Sequence, residues 1–418
     1  MKNKLPQGWV ECVLGDVLYL QNGYAFNSKD YCDNGICVIR ISDIQNNKVN
    51  TKNAVKYNKM DIGKCYIVEN GDFLLAMSGA TTGKTGVYCE KSPAYLNQRV
   101  GNLKIYSQKV LCQKYRNYYI MYKRFAIEKK AYGGAQPNIS KQMIESLRLL
   151  LPPLNEQRRI VGKIEEEFGK IDEGVEKLRF ALEQIKQYRQ AVLKSAFDGK
   201  LYKTTEWEEK TLGQILTPRR ERITPNKHNG ELPFIGMDCI MPNSLKIHNS
   251  YKLKDTKSVA FVFYKNDVLY GRMRSYLNKV WQATFDGASS AEFIVFPENK
   301  QITSGFLKYL LHQQTFVKYA TRNASGDRPR VKFEADLAEY KIKLPKIDEQ
   351  NLIVEKIENA FSIVEDLNKI IRQNIDKAEQ LKQSILKKAF EGRLVPQDPN
   401  DEPASVLLEK IKAERKNK

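Results

Sequence analysis

Basic and aromatic side chains alternate in GRMRSYLNKVW, residues 271–281, where Arg272, Arg274 and Lys279 interleave with Met273, Tyr276 and Trp281. A guanidinium fork matches the edge of guanine and also clamps phosphate, and aromatic rings pack on sugars or bases. A second short stretch, SGDRPR at 325–330, adds Arg328 and Arg330 between turn formers. The corresponding parts of the first half of the chain are read as YLNQR, residues 95–99, and GAQPN, residues 134–138. They supply Arg99 and the carboxamides of Asn97, Gln98, Gln136 and Asn138, which suit the edge of adenine. For any one of these residues an ordinary solvated face competes with the reading role.

GATTGKT, residues 79–85, resembles a nucleotide-cradling loop but is one residue short, with three residues between Gly79 and Gly83 where the motif needs four. Its Lys84 fits better on a DNA phosphate, or the stretch is a plain turn. No catalytic set stands out. His228, His248 and His312 have no nucleophile or carboxylate at a useful spacing, and the Asn-Pro-Pro-aromatic tetrapeptide of amino-methyltransferases does not occur. Seven cysteines form no CxxC pair, which disfavours zinc and suits reduced cytoplasmic thiols. No catalytic residue and no metal ligand is assigned.

The formal charge of +20 could serve nucleic acid, an anionic membrane or solubility. Its placement decides among these. Residues 9–150 carry +9 and residues 207–343 carry +8, against +1 for 151–206 and 0 for both 344–394 and 395–418. Two basic blocks are separated and followed by neutral segments, which a general solubility charge would not produce. No apolar run approaches the ~18 residues of a membrane helix, and the N-terminus lacks a signal-peptide core. The expectation is a cytoplasmic protein with no membrane contact.

The elements that must position these clusters come from a repeat. Residues 151–201 return without a gap at 344–394, identical at 19 of 51 positions. Apolar residues at Ile160, Ile164, Phe168, Ile171 and Val175, continuing to Val192, step by three and four along one helix face. The second copy does the same from Ile353 through Phe361, Leu367 and Leu381 to Ile385. Prolines 152, 153 and 345 stop backward extension, Asn155 and Asp348 are read as caps, and Gly199 and Gly392 as C-terminal glycines. About 43 residues give a rod of roughly 60 Å. A lone rod would expose its stripe, so each copy needs a partner, and the other copy is the simplest one. Glu156–Gln157 and Glu349–Gln350 recur at the helix starts. They are candidates for binding a partner protein, although a first-turn Glu also simply suits the helix dipole.

The blocks echo one another. Trp9 with LGDVL is matched by Trp207 with LGQIL at an offset of 198, and GDFLLA at 71–76 parallels NDVLYG at 266–271. In the first block, 35–44 reads as a strand, 66–68 and 73–77 as a strand pair about an Asn-Gly-Asp turn, and 108–131 as a helix. Residues 404–415 read as a last amphipathic helix. The fold class is α+β, with two mixed α/β domains separated by two long antiparallel helices, an intramolecular coiled coil with a pseudo-twofold internal repeat. The expected divisions are 1–150, 151–206, 207–343, 344–394 and 395–418.

These features together resemble the DNA specificity subunit of type I restriction-modification systems. The carriers are LPPLNEQ and LPKIDEQ, the long helices closing in AFDGKL and AFEGRL, QNGYAF, GICVIRISDI, and the tail LVPQDPNDEPASVLLEKI. The resemblance spans essentially the whole chain. It implies that each block is a target recognition domain reading half of a bipartite double-stranded DNA sequence. It implies that the helices set the spacer and dock two methylation subunits, and that restriction subunits join the assembly. S-adenosylmethionine, ATP and magnesium would then belong to the partner subunits, and this chain would be no enzyme and hold no cofactor. A self-contained DNA methyltransferase or endonuclease, or a basic coiled-coil scaffold, are the competing readings.

Overall fold

The structure is a computed structural model. It describes all residues except 1–4, 46, 59–61, 63–65, 80, 132–137, 203–204, 226–229 and 417–418. Eight α-helices occur among the described residues: α1 (Gln113–Ala131), α2 (Lys141–Glu145), α3 (Leu154–Phe197), α4 (Leu212–Ile215), α5 (Ser304–His312), α6 (Gln314–Asn323), α7 (Ile347–Phe390) and α8 (Ala404–Lys416). The repeat is α3 and α7, each 44 residues long. Both close on a left-handed glycine, Gly199 at φ +72° and Gly392 at φ +69°. Only glycine takes that conformation cheaply. The proposed caps are displaced: α3 begins at Leu154 and α7 at Ile347, so Asn155 and Asp348 fall inside the first turn.

The chain divides into two compact units, Met1–Glu176 with Ile375–Lys418, and Lys177–Asn374. Each long helix gives one part to each unit. In the first unit Ile160, Val161 and Ile164 of α3 share a core with Ile385, Leu386, Ala389 and Phe390 of α7. In the second, Val192, Leu193 and Ala196 of α3 share one with Ile353, Ile357 and Phe361 of α7. The start of each helix thus packs on the end of the other, which is antiparallel pairing. Two residues placed in the stripe by periodicity leave it: Leu367 is 43% and Leu381 52% exposed.

Each block is tied to its following helix by the same strand pair. Val10–Val13 pairs antiparallel with Arg148–Leu151, and Glu208–Thr211 with Lys341–Leu344. Beyond that pair the first block holds a six-stranded and a five-stranded sheet. The second holds a five-stranded and a three-stranded sheet. The central strands are Phe73–Ala76 and Val268–Gly271, both fully buried. Phe73–Ala76 lies between Thr85–Val87 and Val100–Ile105, as Val268–Gly271 lies between Val280–Gln282 and Phe293–Phe296. The strand pair expected about the Asn-Gly-Asp turn does not form, because Ile67–Val68 pairs instead with Ala94–Leu96 in the other sheet. The strand expected over 35–44 is Ile36–Ile39, ended by a turn in which the Asp43 carboxylate accepts the Arg40 amide at 2.8 Å. Helix α1 starts at Gln113, and its place in the second block is taken by the shorter α5 and α6.

Candidate nucleic-acid interface

In the second block three segments meet just past the strand Val268–Gly271. The Arg272 amide donates to the Glu292 carbonyl at 2.9 Å, Val331 to the Arg272 carbonyl at 3.1 Å, and Arg274 to Pro329 at 2.7 Å. Ser325 and Arg330 exchange backbone hydrogen bonds, both 3.2 Å, closing the SGDRPR loop. The loop after the strand is strained, since Arg274 and Asn278 hold φ of +54° and +48°. Buried Asn278 holds it down by donating its side-chain amide to the His312 carbonyl at 2.9 Å. Tyr276, between the two strained residues, is 52% exposed.

The charges here are organised around one acid. Arg330 donates through Nε and Nη2 to the two carboxylate oxygens of Glu292, at 2.9 and 2.8 Å. Arg272 Nε lies 3.8 Å from the same carboxylate. The Arg330 hydrogen bonds hold Glu292 below the usual carboxylate range. An open cleft of about 570 Å³ is lined by Arg272, Arg328, Arg330 and Lys332 together with Asp327 and Asp336. Four basic groups against two carboxylates give the cleft a positive balance, which favours a negatively charged ligand.

Five of the second block's predicted DNA contacts, Arg272, Arg274, Tyr276, Arg328 and Arg330, therefore lie on adjoining loops. Lys279 does not join them. It is buried and donates its ammonium to the Met237 carbonyl at 2.6 Å, and burial lowers its pKa. Trp281 is also core, packed edge-on against Phe263. Two arginines escaped notice in the sequence. Arg219 pairs with buried Asp267 at 2.9 Å and stacks over Tyr264, and exposed Arg220 pairs with Glu334. The signal was the basic run PRRER at 218–222.

The first block repeats this backbone with other side chains. The Met77 amide donates to the Arg99 carbonyl at 2.9 Å and Ile139 to Met77 at 2.8 Å. Ala76 donates to Lys84 at 2.8 Å, as Gly271 does to Lys279 at 2.9 Å. Met77 thus stands where Arg272 stands, Arg99 where Glu292 stands, and Asn138 where Arg330 stands. This shifts the correspondence read from sequence: YLNQR matches 288–292, and the partner of 272–279 is the loop 77–84. Gln98, Arg99 and Asn138 are exposed and Lys84 is half-buried, while Asn97 spends its side-chain oxygen on the Arg99 amide at 3.2 Å. Gln136 lies outside the described residues. Tyr24, 40% exposed, accepts the Gln98 amide on its carbonyl at 2.8 Å and joins the cluster. The Thr82, Gly83 and Lys84 amides all donate within the hairpin, so these three are not free to cradle a phosphate. The Glu128 carboxylate also sits against Gly83.

Glu156, Gln157, Glu349 and Gln350 are not presented to a partner. They are 1%, 0%, 4% and 0% exposed. Gln350 accepts the Thr303 amide at 2.8 Å and donates to the Gln301 and Pro345 carbonyls, both at 2.9 Å. Gln157 makes the equivalent three bonds, to Cys112, Val110 and Pro152. Glu349 accepts from the Trp207 indole at 2.9 Å and from Thr205 at 2.7 Å. Glu156 faces the Trp9 indole and Gln397, but burial prevails and raises its pKa. The pair at each helix start therefore pins the block to its helix.

Among the described residues no helix is long and apolar enough to cross a membrane. The family model described as "Type I restriction modification DNA specificity domain" matches residues 6–177 and again 204–377. The two matches begin 198 residues apart, as Trp9 and Trp207 do. The EcoDI specificity subunit of Escherichia coli is 28% identical over 331 residues, covering 69% of this chain and 73% of its own. The EcoBI specificity subunit, also from Escherichia coli, is 26% identical over 462 residues, covering 98% and 93%. A chain from a structural study of assembly and conformational transition of the type I R-M system superposes with a TM-score of 0.70. It shares 19% identity and covers 94% of this chain and 100% of that one. The HsdS subunit from Thermoanaerobacter tengcongensis gives 0.57 at 18% identity, covering 94% and 99%. The doubled family match, extending over both blocks and into both long helices, places this chain in the type I restriction-modification DNA specificity family.

Proposed function

We propose that this chain is the non-catalytic specificity subunit of a type I restriction-modification complex, acting in the cytoplasm on double-stranded DNA. Residues 9–150 and 207–343 each read one half of a bipartite target. The paired helices α3 and α7 set the gap between the halves and seat two methylation subunits, and restriction subunits join that assembly. S-adenosylmethionine, ATP and magnesium are assigned to those partners.

One observation carries the reading. Two basic blocks place loops on the same hydrogen-bonded backbone frame, yet dress it with unlike side chains: Met77, Arg99 and Asn138 against Arg272, Glu292 and Arg330. One frame with two chemistries is what reading two different half-sites requires.

Since the Glu-Gln pairs are buried, the methylation subunits need another foothold. Ile363, Leu367 and Ile370 are 62%, 43% and 52% exposed on α7 and step by four and three, so they share one face. Exposed apolar stripes of this kind mark protein contacts. Ile363→Glu combined with Ile370→Glu should weaken binding of the methylation subunit about 100-fold, as loss of central apolar anchors does, while leaving thermal stability near that of the wild type. Unchanged affinity in a titration would move the docking site elsewhere.

A further inference from the structure

The Arg330–Glu292 pair says more about the second half-site than the charge of the cleft does. A guanidinium has five N–H donors in a planar fork. Glu292 takes the side edge of Arg330, at Nε and Nη2. Among the described residues the end edge, formed by Nη1 and the outer N–H of Nη2, meets only the Arg328 carbonyl at 3.5 Å, the limit of a hydrogen bond. That edge carries two parallel donors, the pattern that matches O6 and N7 of guanine. The main chain beneath is fixed, since Arg330 exchanges two hydrogen bonds with Ser325 and bridges to Met273. An arginine held at both backbone and side chain loses little rotamer freedom on binding.

The pairing also separates base from phosphate. Glu292 offsets the charge of Arg330 but leaves its outward donors intact. A fork whose charge is paired attracts a phosphate weakly, yet still recognises a base edge by geometry. Arg328 and Lys332, both exposed, line the same cleft and carry no ion pair to Glu292, so they are the groups that suit the DNA backbone. At the equivalent positions of the first block the pair is not repeated, since Arg99 occupies the place of Glu292 and Asn138 that of Arg330.

We infer that Arg330 reads a guanine in the half-site recognised by residues 207–343, and that Glu292 is the positioning residue that aims its fork. This rests on the proposed function. The test uses the assembled complex of full chain and methylation subunits, with duplexes carrying each of the four base pairs at every half-site position. Wild-type complex should demand G·C at one position of that half-site. Arg330→Lys, which keeps the charge and loses the fork, should cut discrimination there by about 10–100-fold, with the other half-site still read normally. Glu292→Gln should relax the same position, and Glu292→Asp should recover part of it. Retained reading of the other half-site and an unchanged melting temperature show that the variants are folded. A half-site without G·C, an unchanged motif in Arg330→Lys, or a loss equal on all duplexes would overturn the inference while leaving the proposed function standing. A wild-type complex that methylates no bipartite sequence would instead sink the proposed function, and this inference with it.

Discussion

Replacing Gln350 with alanine should destabilise the unit that contains it by about 3–5 kcal/mol. The side chain is fully buried and makes three hydrogen bonds, one accepted from Thr303 and two donated to Gln301 and Pro345. Truncation would leave one backbone donor and two carbonyls unpaired where water does not reach. Each such group costs ~1–3 kcal/mol, with relaxation trimming the sum. These bonds join the start of α7 to the segment entering α5, so the loss falls on the joint between block and helix. Gln157→Ala should do the same to the other unit through Cys112, Val110 and Pro152. The measurement is urea unfolding against Glu355→Ala, an exposed change on the same helix. A loss below about 1 kcal/mol for Gln350→Ala would mean that the joint is held elsewhere.

The second large effect is set by pH. Burial, assisted by the nearby positive charge of Arg189, pushes the His312 imidazole down to about 4. In the unfolded chain it returns to about 6.5. Between these values the unfolded state binds more protons, so acid favours unfolding. The stabilisation is fully present above about pH 6.5 and is lost as pH falls toward 4. Going from pH 7.5 to pH 5 should cost about 2 kcal/mol through this one residue. His312→Gln should flatten that part of the profile. An identical pH dependence in wild type and variant would contradict the assignment. The site bears on function, because the His312 carbonyl accepts the Asn278 amide that holds down the strained loop with Tyr276 at its tip.

Much of this was legible in the sequence, for identifiable reasons. The long helices announced themselves because a 3.6-residue stripe and an ungapped 193-residue offset are both one-dimensional signals. The two blocks appeared in the charge for the same reason. Strand partners did not: Ile67–Val68 is two residues long, and its neighbour is chosen by the sheet around it. The letters YLN recur at 95–97 and 276–278, yet the two stretches are not equivalent, because equivalence is carried by backbone hydrogen bonds that leave no mark in sequence. Lys279 alternates with its basic neighbours, yet the left-handed turn at Asn278 directs it into the core. The Glu-Gln pairs recur at helix starts as surface residues would. Only burial, together with the bonds to each block, shows them to be joints.

The central claim is that two interchangeable readers are mounted on one spacer. The most direct test maps the methylated motif after residues 9–150 are replaced by the corresponding block of another specificity subunit. The account predicts that one half of the motif changes to the donor's, while the other half and the gap stay as they were. A motif that changes in both halves, or in neither, would contradict it.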